Sequence, residues 1–250
     1  MLNKLLKKIN GAFGYKLIEK RLFKNNRVLA NNSSLNMKIL LKNIFVNNNI
    51  EQLIQIGAND GKSFDELNYY IKKYQTKSLL VEPIKDNFKL LKKNYSNCAF
   101  VDFENSAISV NDEISYLYKV KTEFECKYGS HIPAIPSFKK KHLINHGVKN
   151  KHIMKEKINS ISIKNLIRKY NIKRLDLLFL DAEGYDGQIV YDFLTTVEVR
   201  PIIIFEYIHL DVFFFENLIK KLKDQKYFFL SISENMFCYP EEVKINLQLN

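Results

Sequence analysis

Residues 52–61 read QLIQIGANDG, a short apolar strand running into a turn with two glycines four positions apart. Glycine lets the backbone turn tightly and approach a ligand closely. The helix expected next is SFDELNYYIKKY (63–74), with Phe64, Leu67, Ile71 and Tyr74 at helical spacing. Ser63 followed by Glu66 has the capping-box pattern for its start. SLLVE (78–82) is then a nearly continuous apolar run ended by Pro83, as expected of a strand covered on both faces. Strand, helix and strand of these lengths predict a βαβ unit in a mainly parallel sheet.

The alternation continues outward. DNFKLLKKNY (86–95) supplies a helix with Phe88, Leu91 and Tyr95 inward, CAFVDF (98–103) a third strand and ISYLYKV (114–120) an extra one. Beyond residue 152, Ser162 caps a helix at 162–170, and LDLLFLD (175–181) is a buried strand ending in an acid. Asp186 is placed to cap GQIVYDFL, PIIIFEY (201–207) is a further strand, and Asp211 begins the helix DVFFFENLIKKLKDQ. YFFLSIS (227–233) and NMFCY (235–239) sit close enough for an antiparallel hairpin at the sheet edge. The predicted fold is α/β: a doubly wound, Rossmann-like, seven-stranded, mainly parallel sheet with an antiparallel C-terminal hairpin. Residues 1–49 read as a basic helical extension, 50–240 as the domain, with an insertion at 121–152, and 241–250 as a tail.

Ligands of such sheets bind beyond the carboxyl ends of the strands, where strand order reverses. There the chain offers the turn Gly57-Ala58-Asn59-Asp60-Gly61 and, at the end of the second strand, Glu82. An acid in that position can accept hydrogen bonds from both ribose hydroxyls of a nucleoside. The turn is neither the dinucleotide fingerprint G-x-G-x-x-G nor a P-loop. A Gly-x-x-x-Gly turn followed by a strand-ending Glu instead resembles the S-adenosylmethionine (SAM) site of class I methyltransferases. LDLLFLDAEGYDGQIV (175–190) adds Asp181, Glu183, Gly184 and Asp186 after the fourth strand. With QIGANDGKSFDEL (55–67), LLVEPIKDNFKLLKKNY (79–95), NSAIS (105–109) and RPIIIFE (200–206), the chain resembles the FkbM family of SAM-dependent methyltransferases across residues 50–210.

That resemblance implies a class I fold, SAM as cofactor, and methylation of a hydroxyl on a sugar, glycan or similar small molecule. It implies that Gly57, Ala58, Asn59 and Gly61 border the methionine part of SAM. Glu82 would hold the ribose, with Asn105, Ser106 and Ala107 near the adenine. Gln55 stands where many members carry Asp, at a contact to the SAM amino group, and Phe179 where Lys is frequent.

A hydroxyl is a poor nucleophile until a base takes its proton or a metal lowers its pKa. Candidate bases after the fourth and fifth strands are Asp181, Glu183, Glu206 and His209. Histidine titrates near neutral pH, although a loop histidine without a role fits His209 equally well. Asp181, Glu183 and Asp186 can cup a divalent cation through oxygens, but capping explains Asp186 as well, and no metal is expected. The three cysteines are odd in number and lack CxxC spacing, against a disulfide framework or a zinc site. In the insertion, His131, Lys139 to Lys141, His142 and His146 are placed to contact an anionic acceptor, or simply to form a solvated basic loop.

The net charge is 39 − 27 = +12. Abundant Lys, Asn, Ile, Tyr and Phe with no Trp fit an AT-rich coding sequence, so the charge does not require a polyanion partner. Two alternatives remain. A nucleic-acid methyltransferase often carries an Asn/Asp-Pro-Pro-aromatic block where this chain has DAEGYD. A non-catalytic nucleotide- or glycan-binding module would keep the fold without turnover. Residues 1–24 set Leu2, Leu5, Leu6 and Ile9 against Lys4, Lys7 and Lys8, a basic amphipathic pattern suited to an anionic membrane or to its own domain. With Lys inside any signal-peptide core, the expectation is a cytoplasmic protein, with peripheral contact at the inner membrane face. Oligomeric state is not legible.

Overall fold

The computed structural model describes residues 36–243, except 111, 130, 131, 133 and 134. The amphipathic segment 1–24, His131 and all but the start of the 241–250 tail therefore lie outside the described residues. No helix among the described residues is long and apolar enough to cross a membrane.

The described chain opens with α1 (Met37–Asn47), then runs β1 (Gln52–Ile56), α2 (Asn68–Tyr74), β2 (Lys77–Val81), α3 (Lys85–Asn94) and β3 (Val101–Glu104). The strands β4 (Ala107–Ile108) and β5 (Ile114–Val120) lead into the insertion, which holds α4 (Lys140–Asn145) and ends at β6 (Ile153–Ile161). α5 (Ile163–Lys169), β7 (Leu177–Leu180), α6 (Asp186–Thr196), β8 (Ile202–Glu206), α7 (Val212–Asp224), β9 (Tyr227–Ile232) and β10 (Asn235–Pro240) complete it.

The main sheet has seven strands in the order β3-β2-β1-β7-β8-β10-β9. All pairings from β3 to β8 are parallel, and β10 is antiparallel to both β8 and β9. This is the doubly wound sheet with an antiparallel hairpin that the sequence predicts. Strand alternation assigns the two faces. Ile54, Val81, Leu178, Leu180 and Ile203 pack with Leu166 of α5, Phe193 of α6 and Leu218 of α7. Leu53, Leu80, Leu177, Phe179 and Ile204 pack with Leu41 and Ile44 of α1, Ile71 of α2 and Leu91 of α3. Helices on both faces explain why β1, β2, β7 and β8 are near-continuous apolar runs.

Local details differ from the sequence reading. Segment 114–120 is not in the main sheet; it pairs antiparallel with β6, and β6 pairs parallel with β4, in a small second sheet. β6 itself, IMKEKINSI, escapes sequence reading because its alternation is mostly Lys, Glu and Asn, with few buried positions. The Ser63–Glu66 capping box does not form. α2 starts only at Asn68, because Asp60 Oδ1 accepts from the backbone N–H of Lys62 and Ser63. Asp65 Oδ1 then accepts from those of Leu67 and Asn68. Phe64 consequently sits in the left-handed region at φ 59° and is exposed rather than inward. Ser162 and Asp211 cap their helices as expected.

At the reversal of strand order, the end of β1 approaches the end of β7. A Cβ placed on Gly57 (φ +83°) would lie 1.9 Å from the carbonyl oxygen of Asp181. Gly147 has a similar φ of +85° but nothing within 4 Å. Gly147→Ala is therefore expected to cost roughly 1–2 kcal/mol of left-handed strain. Gly57→Ala adds a backbone clash and is expected to cost about 3 kcal/mol or more. Urea unfolding of the two variants separates these terms; equal losses would show that the close approach is not rigid.

Candidate functional site

A cavity of about 320 Å³ opens over the carboxyl ends of β1, β2 and β7, within the size range of small-molecule sites. Its near wall is the glycine turn. The N–H groups of Gly57 and Ala58 both bond the Val81 carbonyl. Glu82 fastens the turn from the next strand: its Oε2 accepts from Asn59 N–H at 3.0 Å and its Oε1 from Ile84 N–H at 2.8 Å. Burial pushes the Glu82 carboxyl up to about 7, against those two hydrogen bonds.

Of the residues that the sequence assigns to a cofactor, Gln55, Gly57, Ala58, Asn59, Glu82, Ser106 and Ala107 meet on the cavity wall. Gly61 and Asn105 are not on it. A Cβ on Gly61 would be 2.5 Å from Leu91 Cδ1 and 2.7 Å from Tyr95 Cε2, so this glycine serves packing against α3. Asn105 instead donates through Nδ2 to the carbonyls of Glu82 and Pro83, at 2.8 and 3.1 Å, bracing the backbone after β2. Gln55 donates through Nε2 to Asp65 Oδ1 at 3.1 Å. Its Oε1 is buried with no partner among the described residues.

The far wall is acidic. One carboxylate oxygen each from Asp181, Glu183 and Glu206 lies within 4.8 Å of the others. Asp181 is open to the water of the cleft, yet the surrounding walls desolvate it enough to raise its carboxyl, with His142 opposing. Burial, then Asp181 and Asp186, pushes Glu183 up to about 9. Burial, then the same acids and Glu183, takes Glu206 to about 9. Ser137 Oγ donates to the Glu183 carbonyl at 2.8 Å, and His142 Nε2 is 2.9 Å from Glu183 Oε2. Burial, then Lys139, lowers His142. Both shifts run toward neutrality, so at neutral pH this contact is a hydrogen bond between uncharged groups rather than an ion pair.

Asp186 is neither a helix cap nor part of this acidic wall. It is the first residue of α6 and fully buried, with its carboxylate accepting backward from the N–H groups of Ala182 and Gly184 at 3.0 and 3.3 Å. The acid that joins Asp181 and Glu183 is Glu206. His209 does not line the cavity; its Nε2 stands 3.5 Å from Glu206 Oε2. The described part of the insertion packs on a small core of Val120, Ile132, Ile135, Leu143, Val148 and Ile153, and its Ile135, Pro136 and Phe138 line the cavity. His142 is buried and faces Glu183, whereas His146 is exposed, its Nδ1 2.9 Å from the His142 carbonyl oxygen. Sequence reading missed Glu66, Phe64 and Glu234 on the wall. Glu66 looks like a cap in sequence, and Glu234 belongs to a hairpin turn far along the chain.

A doubly wound sheet with a glycine turn, a strand-ending acid and a cavity at the switch point defines a class I methyltransferase architecture. The methyltransferase FkbM domain model matches residues 55–229, and the chain belongs to that family. S-adenosylmethionine is therefore its cofactor. No curated protein matches the chain. Among solved structures, it is similar to the Methanococcus jannaschii fibrillarin pre-rRNA processing protein (10% identity, TM-score 0.41, 78% of this chain and 67% of that one). It is also similar to precorrin-6y C5,15-methyltransferase from Geobacter metallireducens GS-15 (7%, TM-score 0.39, 80% and 83%). A third is M. capricolum TrmK in complex with S-adenosylhomocysteine (12%, TM-score 0.38, 84% and 72%). The lining fits that cofactor: Gln55 Oε1 is a buried acceptor without a partner among the described residues, and Glu82 stands on the wall beside the glycine turn.

The raised acids make stability depend on pH. Folded Glu183 and Glu206 hold protons more tightly than the unfolded chain, whose glutamates titrate near 4.5. Their contribution is complete below that value and is lost as pH rises through about 9. The melting temperature of the ligand-free protein is expected to fall between pH 6 and 9, and less steeply in Glu206→Gln. A flat or rising profile would contradict the crowding of these acids.

Proposed function

We propose that this cavity holds SAM against the glycine turn and that the protein methylates a hydroxyl of a sugar, glycan or similar uncharged small molecule. The observation carrying this reading is that the Asp181 carboxylate opens into the cleft beside the glycine turn, inside an acidic wall. Bound there, SAM supplies an electrophilic methyl carbon on a sulfonium. Gln55 Oε1 would accept from the methionine amino group and Glu82 from the ribose hydroxyls, and Ser106 and Ala107 would border the base. Asp181, whose carboxyl burial holds above the ordinary aspartate range, takes the proton of the acceptor hydroxyl. Glu183 and Glu206, mostly protonated at neutral pH, donate hydrogen bonds without adding negative charge. Ile135, Pro136 and Phe138 offer an apolar floor for the carbon face of a sugar ring.

Among the described residues, seven acids and no Lys or Arg line the cavity (Asp65, Glu66, Glu82, Asp181, Glu183, Glu206 and Glu234), which disfavours a phosphate-rich acceptor near the reacting centre, whatever the net charge of the whole chain. This supports a small neutral acceptor over nucleic acid.

Calorimetry with SAM is expected to show one site, weakened at least about tenfold in Glu82→Gln by loss of a charged acceptor. Asp181→Asn is expected to leave SAM affinity within a few fold and to lower methyl transfer to a sugar panel by roughly 10²–10⁴. Unchanged turnover in Asp181→Asn would remove it as the base. Absence of SAM binding by the folded protein would remove the whole assignment.

A further inference from the structure

Behind the acidic wall lies a second cluster that the methyl-transfer reading leaves unused. His142 of α4, His146 at its end and His209 in the loop after β8 each place one ring nitrogen within 4.8 Å of the other two. Their ring centroids are 4.5, 4.8 and 5.7 Å apart. Each ring has an acceptor on one side. His142 Nε2 faces Glu183 Oε2 at 2.9 Å, and His146 Nδ1 faces the His142 carbonyl at 2.9 Å. His209 Nε2 faces Glu206 Oε2 at 3.5 Å. Metal-binding histidines are held in this way: one nitrogen is steadied by a carboxylate or carbonyl, which fixes the tautomer and leaves the lone pair on the other.

We propose that His142, His146 and His209 form a binding site for one zinc-class divalent ion, with Glu183 and Glu206 as the outer carboxylates. Imidazole ligands suit zinc, cobalt and nickel rather than magnesium or calcium. Such an ion holds nitrogens at about 2.0–2.1 Å, which sets them roughly 3.3 Å apart in a tetrahedron, so binding would draw the three rings inward from a spacing of up to 4.8 Å. Binding releases protons from the site: Glu183 and Glu206, once ionised, accept from the ring N–H groups and offset the ion's charge. The ion would clamp the insertion to the loop after β8, at the acceptor end of the cleft. The ligand set is distinct from the acid trio, two of whose members, Glu183 and Glu206, serve it only as outer carboxylates.

The test uses the full-length, untagged, chelator-treated protein, titrated with CoCl₂ by visible absorption and with ZnCl₂ by calorimetry. One ion per chain and cobalt d–d bands of a nitrogen-ligated site are expected. His146→Ala and His209→Ala should each weaken binding by more than about 100-fold, and Glu183→Gln by about 10–100-fold, as loss of an outer carboxylate does. His152→Ala, which removes a ring that instead stacks on Phe124, should leave affinity unchanged. If an alanine variant loses its native circular dichroism, His146→Gln and His209→Gln replace it. No saturable binding, no d–d band, or equal affinity in the histidine variants would overturn the proposal. The measurement needs neither SAM nor acceptor, so its failure leaves the methyltransferase reading standing.

Discussion

The contact on which the rest depends is the approach of Gly57 to the Asp181 carbonyl. Strand order reverses between β1 and β7, so chain leaving the sheet on either side diverges and leaves a crevice. The crevice is narrow at its base because no side chain separates the two backbones. That single absence of a Cβ sets the turn's conformation, presents Asp181 to the cleft, and lets Glu82 reach across to Asn59 N–H.

Charge is the second constraint. Acids that end strands β7 and β8 converge because parallel strands end on the same side of the sheet. Convergence raises their pKa values, and protonation relieves the strain at neutral pH. A cation bound beside these acids would favour their ionised forms. As proposed, the sulfonium of the cofactor and a divalent ion on the histidines would act on the same acids from opposite sides of Glu183. The insertion unites them, with Phe138 on the cavity and His142 against the acid.

The fold was legible because its decisive segments are long apolar runs. β2, β7 and β8 are covered on both faces, and nothing in their environment competes with their pattern. The FkbM resemblance rests on strand ends whose residues the topology then brings together. What stayed hidden was set by contacts distant in sequence. Gly61 and Asn105 look like ligand residues but brace helix and backbone. Asp186 looks like a cap but turns back onto Ala182 and Gly184. The pairing of His142 with Glu183 spans 41 positions, which no local spacing reveals. β6 was missed because its one face packs on a small sheet and the other meets water, leaving little apolar signal.

The most direct measurement is a crystal structure of the protein grown with S-adenosylhomocysteine. Density for the ligand in the cavity, with its ribose hydroxyls on Glu82 and its sulfur turned toward Asp181, is the required result. Ligand bound elsewhere, or a Glu82 carboxylate still engaged only with Asn59 and Ile84 beside an empty cleft, would contradict the assignment of this cavity.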